Sequence, residues 1–145
     1  MKLYETNEIR NIALLGHIGS GKTTLSEAML VISGTKEKMG NTLNGTTSSD
    51  YHKEEKEKHF SIRLSPLTME YQGHKYNILD YPGYEDFKGD IYSSIDIIDG
   101  AVLVIDGSSG IELGTINSWK LLEDNNIPRI IFINKMNKGF INYKK

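Results

Sequence analysis

Residues 16–24 read GHIGSGKTT and match in full the Gly-x4-Gly-Lys-Ser/Thr pattern of a phosphate-binding loop. Gly16 and Gly21 allow successive backbone N–H groups to point inward without a Cβ clash, which makes a nest for an anion. An apolar strand predicted over residues 11–15 precedes the loop, and a helix predicted over residues 22–32 follows it and adds its positive amino end. Because a chance glycine-rich turn needs neither neighbour, the pattern favours a true phosphate-binding loop.

Two side chains at the end of this loop carry its chemistry. The Lys22 amino group is expected to reach the β- and γ-phosphates of a nucleotide, and the Thr23 hydroxyl is expected to bind Mg²⁺. Backbone groups of the loop supply further contacts to phosphate. The predicted nucleotide-binding residues here are Gly16, His17, Ile18, Gly19, Ser20, Gly21, Lys22, Thr23 and Thr24.

The remaining sequence alternates apolar strands with amphipathic helices. This order predicts an α/β fold of the P-loop NTPase type, with a mostly parallel sheet and helices on both faces. Residues 33–60 are weakly apolar, and so long a stretch of this kind in a compact domain is usually functional or mobile. In the first helix, apolar residues recur at helical spacing at Leu25, Ala28, Met29 and Ile32. Further strands are predicted over residues 61–71, 75–80, 101–106 and 129–134, with a turn at Gln72-Gly73, and further helices over residues 85–98 and 115–124.

Composition excludes several classes of protein and site. The 145 residues carry a net charge of −2, which gives no electrostatic basis for sequence-specific DNA binding. The longest apolar runs, such as residues 101–105, are far too short to span a bilayer, so we expect no membrane association. The absence of cysteine excludes disulfides and cysteine metal sites and fits a cytoplasmic location. The four histidines show no metal-ligand spacing.

A second motif, Asp80-Tyr81-Pro82-Gly83, closes the apolar strand predicted over residues 75–80. An acid there can hold Mg²⁺, commonly through water, and the Gly83 N–H can face a γ-phosphate. On its own this tetrapeptide is an ordinary turn. Because it follows a phosphate-binding loop and lies at the strand end where such sheets bind ligands, the functional interpretation is favoured.

A third motif, Asn134-Lys135-Met136-Asn137, closes the last apolar strand. Taken in order, GHIGSGKTT, DYPGY and NKMN resemble the G domain of translational GTPases, closest to the elongation factor G group, over nearly the whole chain. The resemblance implies that GTP and GDP bind with Mg²⁺, that GTP is hydrolysed, and that the ribosome is a partner. It also implies a switch I over about residues 33–61 and a switch II over about residues 80–90.

The resemblance implies further roles, residue by residue. Ser61 matches the hydroxyl residue that completes Mg²⁺ coordination, with Thr46 and Thr47 as the alternatives. Asn134, Lys135 and Asn137 occupy the guanine-reading motif, in which the first two residues flank and orient the base. The residues expected to act on the γ-phosphate or its attacking water are Lys22, Gly83 and Tyr84.

Two departures from the family's pattern concern the phosphate end of the site. The family usually has Asp at the position of Gly19, so any charge-dependent role there is lost. It usually has a water-orienting His at the position of Tyr84. Since a phenol with a pKa of about 10 is a poor base near neutral pH, we expect slow or altered hydrolysis. The alternative is that Tyr84 merely packs within switch II.

A third departure is Asn137, where the guanine-reading motif normally ends in Asp. A carboxylate accepts hydrogen bonds from both the N1–H and the 2-amino group of guanine. An amide offers one acceptor and one donor, so one contact becomes donor against donor, at a cost of about 2–4 kcal/mol. The same amide suits a base with a carbonyl at position 2, such as xanthine. We therefore expect weakened guanine selectivity.

Two other functions stay open from the sequence. One is a non-hydrolysing nucleotide-binding module, which Tyr84 and Asn137 both allow. The other, less favoured, is a P-loop kinase or ATPase, because such kinases use arginine-rich lids and the three arginines here lie in no plausible lid.

The length of the chain also departs from the resemblance. The family's G domain continues past the 145 residues present, so we expect residues 1–145 to be the N-terminal part of a C-terminally truncated G domain. In that case the strand predicted over residues 129–134 would present an apolar edge, which is an association hazard.

Overall fold

Five strands form one sheet in the computed structural model, which describes residues 2–42, 44–49, 64–83 and 89–137. The strands are β1 (Ile9–Leu15), β2 (Ser65–Tyr71), β3 (His74–Asp80), β4 (Gly100–Asp106) and β5 (Arg129–Asn134). Their order across the sheet is β2-β3-β1-β4-β5. β2 runs antiparallel to β3, and all other neighbours are parallel. The predicted mostly parallel sheet is confirmed.

In the described ranges, three helices connect these strands: α1 (Lys22–Ile32), α2 (Gly89–Ser94) and α3 (Leu113–Asp124). α1 has the predicted limits. The helix predicted over residues 85–98 appears as α2 followed by a 3-10 turn at Ile95–Ile97, and residues 85–88 lie outside the described ranges. None of the helices in the described ranges has the length and hydropathy needed to cross a membrane.

The core consists of two apolar layers, one on each face of the sheet. On one face α1 contributes Leu30, which packs with Leu14, Leu67, Met69, Ile78, Val102 and Val104. On the other face α2 and α3 contribute Ile91 and Leu122, which pack with Ala13, Leu15, Leu79, Tyr81, Ile98, Ala101, Leu103 and Ile127. The helices therefore cover both faces, as predicted.

The inner face of α1 differs from the apolar pattern that its sequence shows. Ile32 is 75% exposed, whereas Ser26 and Glu27 are fully buried. The physical reason is hydrogen bonding, because the Ser26 hydroxyl donates to the backbone oxygen of Thr23 and Glu27 accepts from the loop that follows the helix. Polar residues thus occupy the inner positions nearest the candidate site.

The predicted hairpin between β2 and β3 is present. Gln72 and Gly73 both adopt left-handed backbone angles, with φ of 48° and 83°, as a two-residue turn between antiparallel strands requires. β2 begins at Ser65 rather than at residue 61, and residues 61–63 lie outside the described ranges.

β5 forms one edge of the sheet within the described residues, where it pairs with β4 alone. Its apolar side chains are accessible on both faces: Ile130 is 65% exposed, Ile131 53%, Phe132 39% and Ile133 50%. An edge that combines free backbone groups with apolar side chains is a template for pairing with another chain.

We expect the 145-residue chain to associate as its concentration rises, through the edge of β5. Ile131→Lys should suppress this association because a charge on an edge strand opposes pairing. Ile97→Lys, at an isoleucine of similar exposure (55%) away from the sheet edge, is the matched control. Sedimentation velocity over a range of concentrations measures the effect. A strictly monomeric wild-type chain, or equal association of the two variants, would contradict the prediction.

Candidate functional site

The loop of residues 16–21 connects β1 to α1, in the place that the sequence pattern predicts. Gly16 and Gly21 are both positions where glycine is required. At Gly16 (φ +143°) an added Cβ would lie 2.3 Å from the Val104 backbone oxygen, and at Gly21 (φ +100°) it would lie 2.2 Å from the Asn134 Nδ2 atom. A larger residue at Gly21 would therefore strain the backbone and separate the loop from the end of β5.

Lys22 points into this loop and is only 7% exposed. Its Nζ atom donates hydrogen bonds to the backbone oxygens of Gly16 and His17, each at 3.0 Å. Burial lowers the pKa of Lys22 to about 8, and the nearby charge of Asp80 only partly opposes this. Because an anion beside a buried amine favours its charged form, the electrostatics of the loop suit a phosphate group.

Asp80 is fully buried at the end of β3, beside β1. Its Oδ2 atom accepts hydrogen bonds from the hydroxyls of Thr23, at 2.9 Å, and Ser26, at 3.4 Å. A carboxylate next to a hydroxyl is the oxygen donor set that Mg²⁺ prefers. No group of three or more His, Cys, Asp or Glu in the described ranges could hold a metal.

Gly83 lies directly against the loop. A Cβ added to it would be 2.7 Å from the Lys22 Nζ atom and 2.7 Å from the Ile18 Cα atom. Any side chain at this position would therefore displace the lysine or the loop. The structure thus brings the second motif into contact with the first.

The third motif is joined to the same loop by two hydrogen bonds. Asn134 Nδ2 donates to the backbone oxygen of Ser20 at 2.9 Å, and Lys135 Nζ donates to that of Gly19. Lys135 has a φ of +57°, a conformation that costs a non-glycine residue about 1–3 kcal/mol and is concentrated at functional sites. Asn137, two residues further on, is exposed.

The remaining loop residues have different surroundings. His17 accepts a hydrogen bond at Nδ1 from the backbone N–H of Gly114, at 3.3 Å, and its Nε2 lies 3.5 Å from Glu112. The loop is thereby tied to the start of α3. Ser20 is buried, whereas Thr24 is exposed on α1.

Two candidate site residues, Ser61 and Tyr84, lie outside the described ranges. Residues 50–60 of the predicted switch I and residues 85–88 of the predicted switch II lie outside them as well. Of the two alternatives to Ser61, Thr47 is buried, and Thr46 accepts a hydrogen bond from the Asn41 N–H at 2.9 Å. The Thr46 hydroxyl is thus engaged within its own loop.

Glu27 is a residue whose position the sequence did not reveal. Its buried carboxylate accepts hydrogen bonds from Lys36 Nζ, Gly40 N and Ser48 N, each at 2.6 Å. Burial alone would raise the pKa of Glu27, but these hydrogen bonds outweigh it and hold the pKa below the ordinary value of 4.5. One side chain of α1 therefore anchors the first half of the segment predicted as switch I.

Comparison with known proteins finds one family and several close relatives. The family model "Elongation factor Tu GTP binding domain" matches residues 7–144. An elongation factor G from Granulibacter bethesdensis is 38% identical over 131 residues, which are 90% of this chain and 19% of that protein. A mitochondrial ribosome-releasing factor 2 from Drosophila ananassae is 38% identical over 140 residues, which are 97% of this chain and 19% of that protein.

A crystal structure of a protein from Thermus thermophilus is similar in fold. The TM-score is 0.86 at 39% identity, over 91% of this chain and 20% of that one. The chain thus spans about a fifth of the length of the relatives that it matches.

We expect Glu27→Gln to destabilise the fold by about 3 kcal/mol, because an amide cannot replace a carboxylate that accepts from two backbone N–H groups and a lysine. Glu37→Gln, at an exposed glutamate in the same segment, is the matched control. Urea unfolding of wild type and the two variants measures the free energy of unfolding of each.

The pH dependence gives a second check on Glu27. Because its folded pKa lies below 4.5, its contribution is fully present above that value and is lost as the pH falls through the folded pKa. The difference in free energy of unfolding between wild type and Glu27→Gln should therefore become smaller as the solution is made acidic. A difference in free energy of unfolding that does not change with pH would contradict the role of Glu27 as an anchor. A destabilisation equal to that of Glu37→Gln would contradict it as well.

Proposed function

Since this chain belongs to the elongation factor Tu GTP-binding domain family, we propose that it binds GTP and GDP with Mg²⁺ and hydrolyses GTP to GDP and phosphate. We further propose that it is the N-terminal part of a G domain of the elongation factor G type that acts on the ribosome in the cytoplasm. The observation that carries the proposal is the meeting of three motifs at the carboxyl ends of β1, β3 and β5.

Recognition of phosphate falls to the loop of residues 16–24. The Lys22 amine is held between two backbone oxygens of the loop. A phosphate oxygen is a better partner than either carbonyl because both members of that pair carry a charge. The amino end of α1 adds its positive dipole. The bound anion then stabilises the ammonium form of Lys22, which burial alone disfavours.

The metal position is assigned to Thr23 and Asp80, with Ser61 as the further ligand. The hydroxyl and the carboxylate are already adjacent, so both oxygens can face one cation with little rearrangement. Mg²⁺, when bound, neutralises the charge that develops between the β- and γ-phosphates.

Hydrolysis is assigned to the start of switch II. The Gly83 backbone lies next to Lys22, a position from which its N–H can face a γ-phosphate. Tyr84 would orient the attacking water by a hydrogen bond rather than remove its proton, since a phenol is a weak base at neutral pH. Turnover by the isolated chain is therefore slow. An order–disorder change of the predicted switch I, about residues 33–61, on binding of the γ-phosphate would be the switch.

Phosphate release from GTP, measured with and without ribosomes, tests this function. We expect slow release by the chain alone and its loss in Lys22→Met, because the amine that contacts phosphate is removed. Lys120→Met, at an exposed lysine of α3, is the matched control and should retain the wild-type rate.

Each other outcome of this experiment points to a different function. GTP binding without phosphate release under either condition would indicate a non-hydrolysing module. Transfer of phosphate from ATP to an added acceptor would indicate a kinase. Release that is equal in wild type and Lys22→Met would contradict the assigned site.

Base selectivity is a separate prediction that rests on Asn137. We expect the chain to discriminate poorly between GTP and XTP, because an amide presents a donor where guanine also has one. Asn137→Asp should strengthen GTP binding and weaken XTP binding. Equilibrium titration with GTP, XTP and ATP decides the matter. Micromolar GTP binding by the wild-type chain, with no XTP binding, would contradict the prediction.

A further inference from the structure

A buried aspartate lies beneath the third motif, outside every residue assigned to the site. Asp106 ends β4 and is 6% exposed. Its Oδ2 atom accepts a hydrogen bond from Lys135 Nζ at 2.6 Å. Its Oδ1 atom accepts from the backbone N–H of Ser108 at 2.9 Å and from the Ser108 hydroxyl. Both carboxylate oxygens are therefore engaged, and only Oδ2 faces the motif.

The backbone around Asp106 holds this carboxylate in one place. Asp106 is the register partner of Asn134 across β4 and β5, and the Gly107 N–H donates to the Asn134 oxygen at 2.8 Å. The Asp106 backbone oxygen accepts from Gly110 N at 2.8 Å and from Ser109 N at 3.2 Å. The turn after β4 is thus hydrogen-bonded to the Asp106 backbone, which restricts the position of the Asp106 side chain.

Lys135 is held from two sides. Its ammonium group lies between the Asp106 carboxylate and the Gly19 carbonyl of the phosphate-binding loop. The ammonium donor makes both hydrogen bonds charge-assisted, but only the bond to the Asp106 carboxylate also joins opposite charges. Lysine loses about 2 kcal/mol of rotamer entropy when it is fixed, which the carbonyl alone offsets poorly.

The electrostatics agree with this geometry. The hydrogen bond from Lys135, followed by that from Ser108, holds the pKa of the Asp106 carboxyl well below its usual range. The carboxylate is therefore ionised at physiological pH.

We propose that Asp106 is a positioning residue for base recognition, which fixes the side chain of Lys135 across the phosphate-binding loop so that its stem can cover one face of the base. The inference rests on the proposed function, because it needs a nucleotide base beside Lys135. Asp106 acts through Lys135 and not through the phosphates. Its removal should therefore weaken binding of GTP and leave binding of a ligand without a base unchanged.

The experiment compares GTP with inorganic tripolyphosphate, each with Mg²⁺, by equilibrium titration of the 145-residue chain. Asp106→Asn should weaken GTP binding by about 10-fold, the value for loss of one hydrogen bond to a charged group, with no change for tripolyphosphate. In steady-state hydrolysis the same variant should raise KM and leave kcat unchanged. In a Lys135→Met background, Asp106→Asn should have no further effect on GTP binding.

The matched control is Asp99→Asn. Asp99 also joins β4 to β1, since its Oδ2 accepts from the Asn11 N–H at 2.7 Å, but it lies at the opposite end of the sheet. Asp99→Asn loses the same charge, and the hydrogen bond that it affects comes from a backbone N–H far from the third motif. We expect a lower melting temperature without any change in the ratio of GTP to tripolyphosphate affinity.

Several outcomes would overturn the inference. Equal GTP affinity of wild type and Asp106→Asn would do so alone, and a parallel loss of tripolyphosphate affinity would show that the loop itself had moved. Failure of the wild-type chain to bind GTP would overturn the proposed function together with this inference. If Asp106→Asn does not fold, Ser108→Ala removes the hydroxyl hydrogen bond to Oδ1 and keeps the backbone one and the charge. This variant should show a smaller loss of affinity for GTP alone, and no such loss would also contradict the inference.

Discussion

The parallel pairing of β1 with β3 and β4, and of β4 with β5, is the constraint on which the rest of the site depends. Because these strands run in one direction, their carboxyl ends meet at one edge of the sheet. The hydrogen bond between Thr23 and Asp80 joins residues 57 positions apart, and that between Lys135 and Gly19 joins residues 116 positions apart. No local interaction could bring these groups together. The apolar layers on both faces of the sheet stabilise this arrangement of strands, and the strands in turn position the residues of the site.

Buried charged groups distinguish the region around the carboxyl ends of the strands from the rest of the core. Lys22, Glu27, Asp80 and Asp106 are all less than 10% exposed, yet each lies within hydrogen-bonding distance of partners. Burying an ionised group without a partner costs several kcal/mol, so each of these groups depends on the partners that it has. Glu27 orders the chain that follows α1, and Asp106 orders the lysine that follows β5. The buried carboxylates thus set the positions of groups that contact the ligand under the proposed function.

The sequence predicted local features well and long-range ones poorly. The loop of residues 16–24, the limits of α1 and the last strand were predictable because glycine spacing and hydrophobic periodicity are encoded in neighbouring residues. The roles assigned to Asn134 and Lys135 came from family resemblance, since nothing in the residues themselves specifies a base. The partners of Glu27 and Asp106 were not predictable, because an acid inside a helix or at the end of a strand is usually solvated. Those partners lie up to 21 and 29 positions away. The exposure of Ile32 was not predictable either, because the hydrogen bonds of Ser26 and Glu27 place those polar residues on the buried face of α1.

The central claim is that one site, at the carboxyl ends of the parallel strands, holds a guanine nucleotide. The most direct measurement is the amide NMR spectrum of the isotope-labelled chain during titration with Mg²⁺ and GDP. The account predicts that the largest shifts fall in three separate segments, residues 16–24, residues 80–83 and residues 134–137, and that they saturate together with one dissociation constant. Shifts confined to the exposed edge of β5, or three segments that titrate with different constants, would contradict a single site.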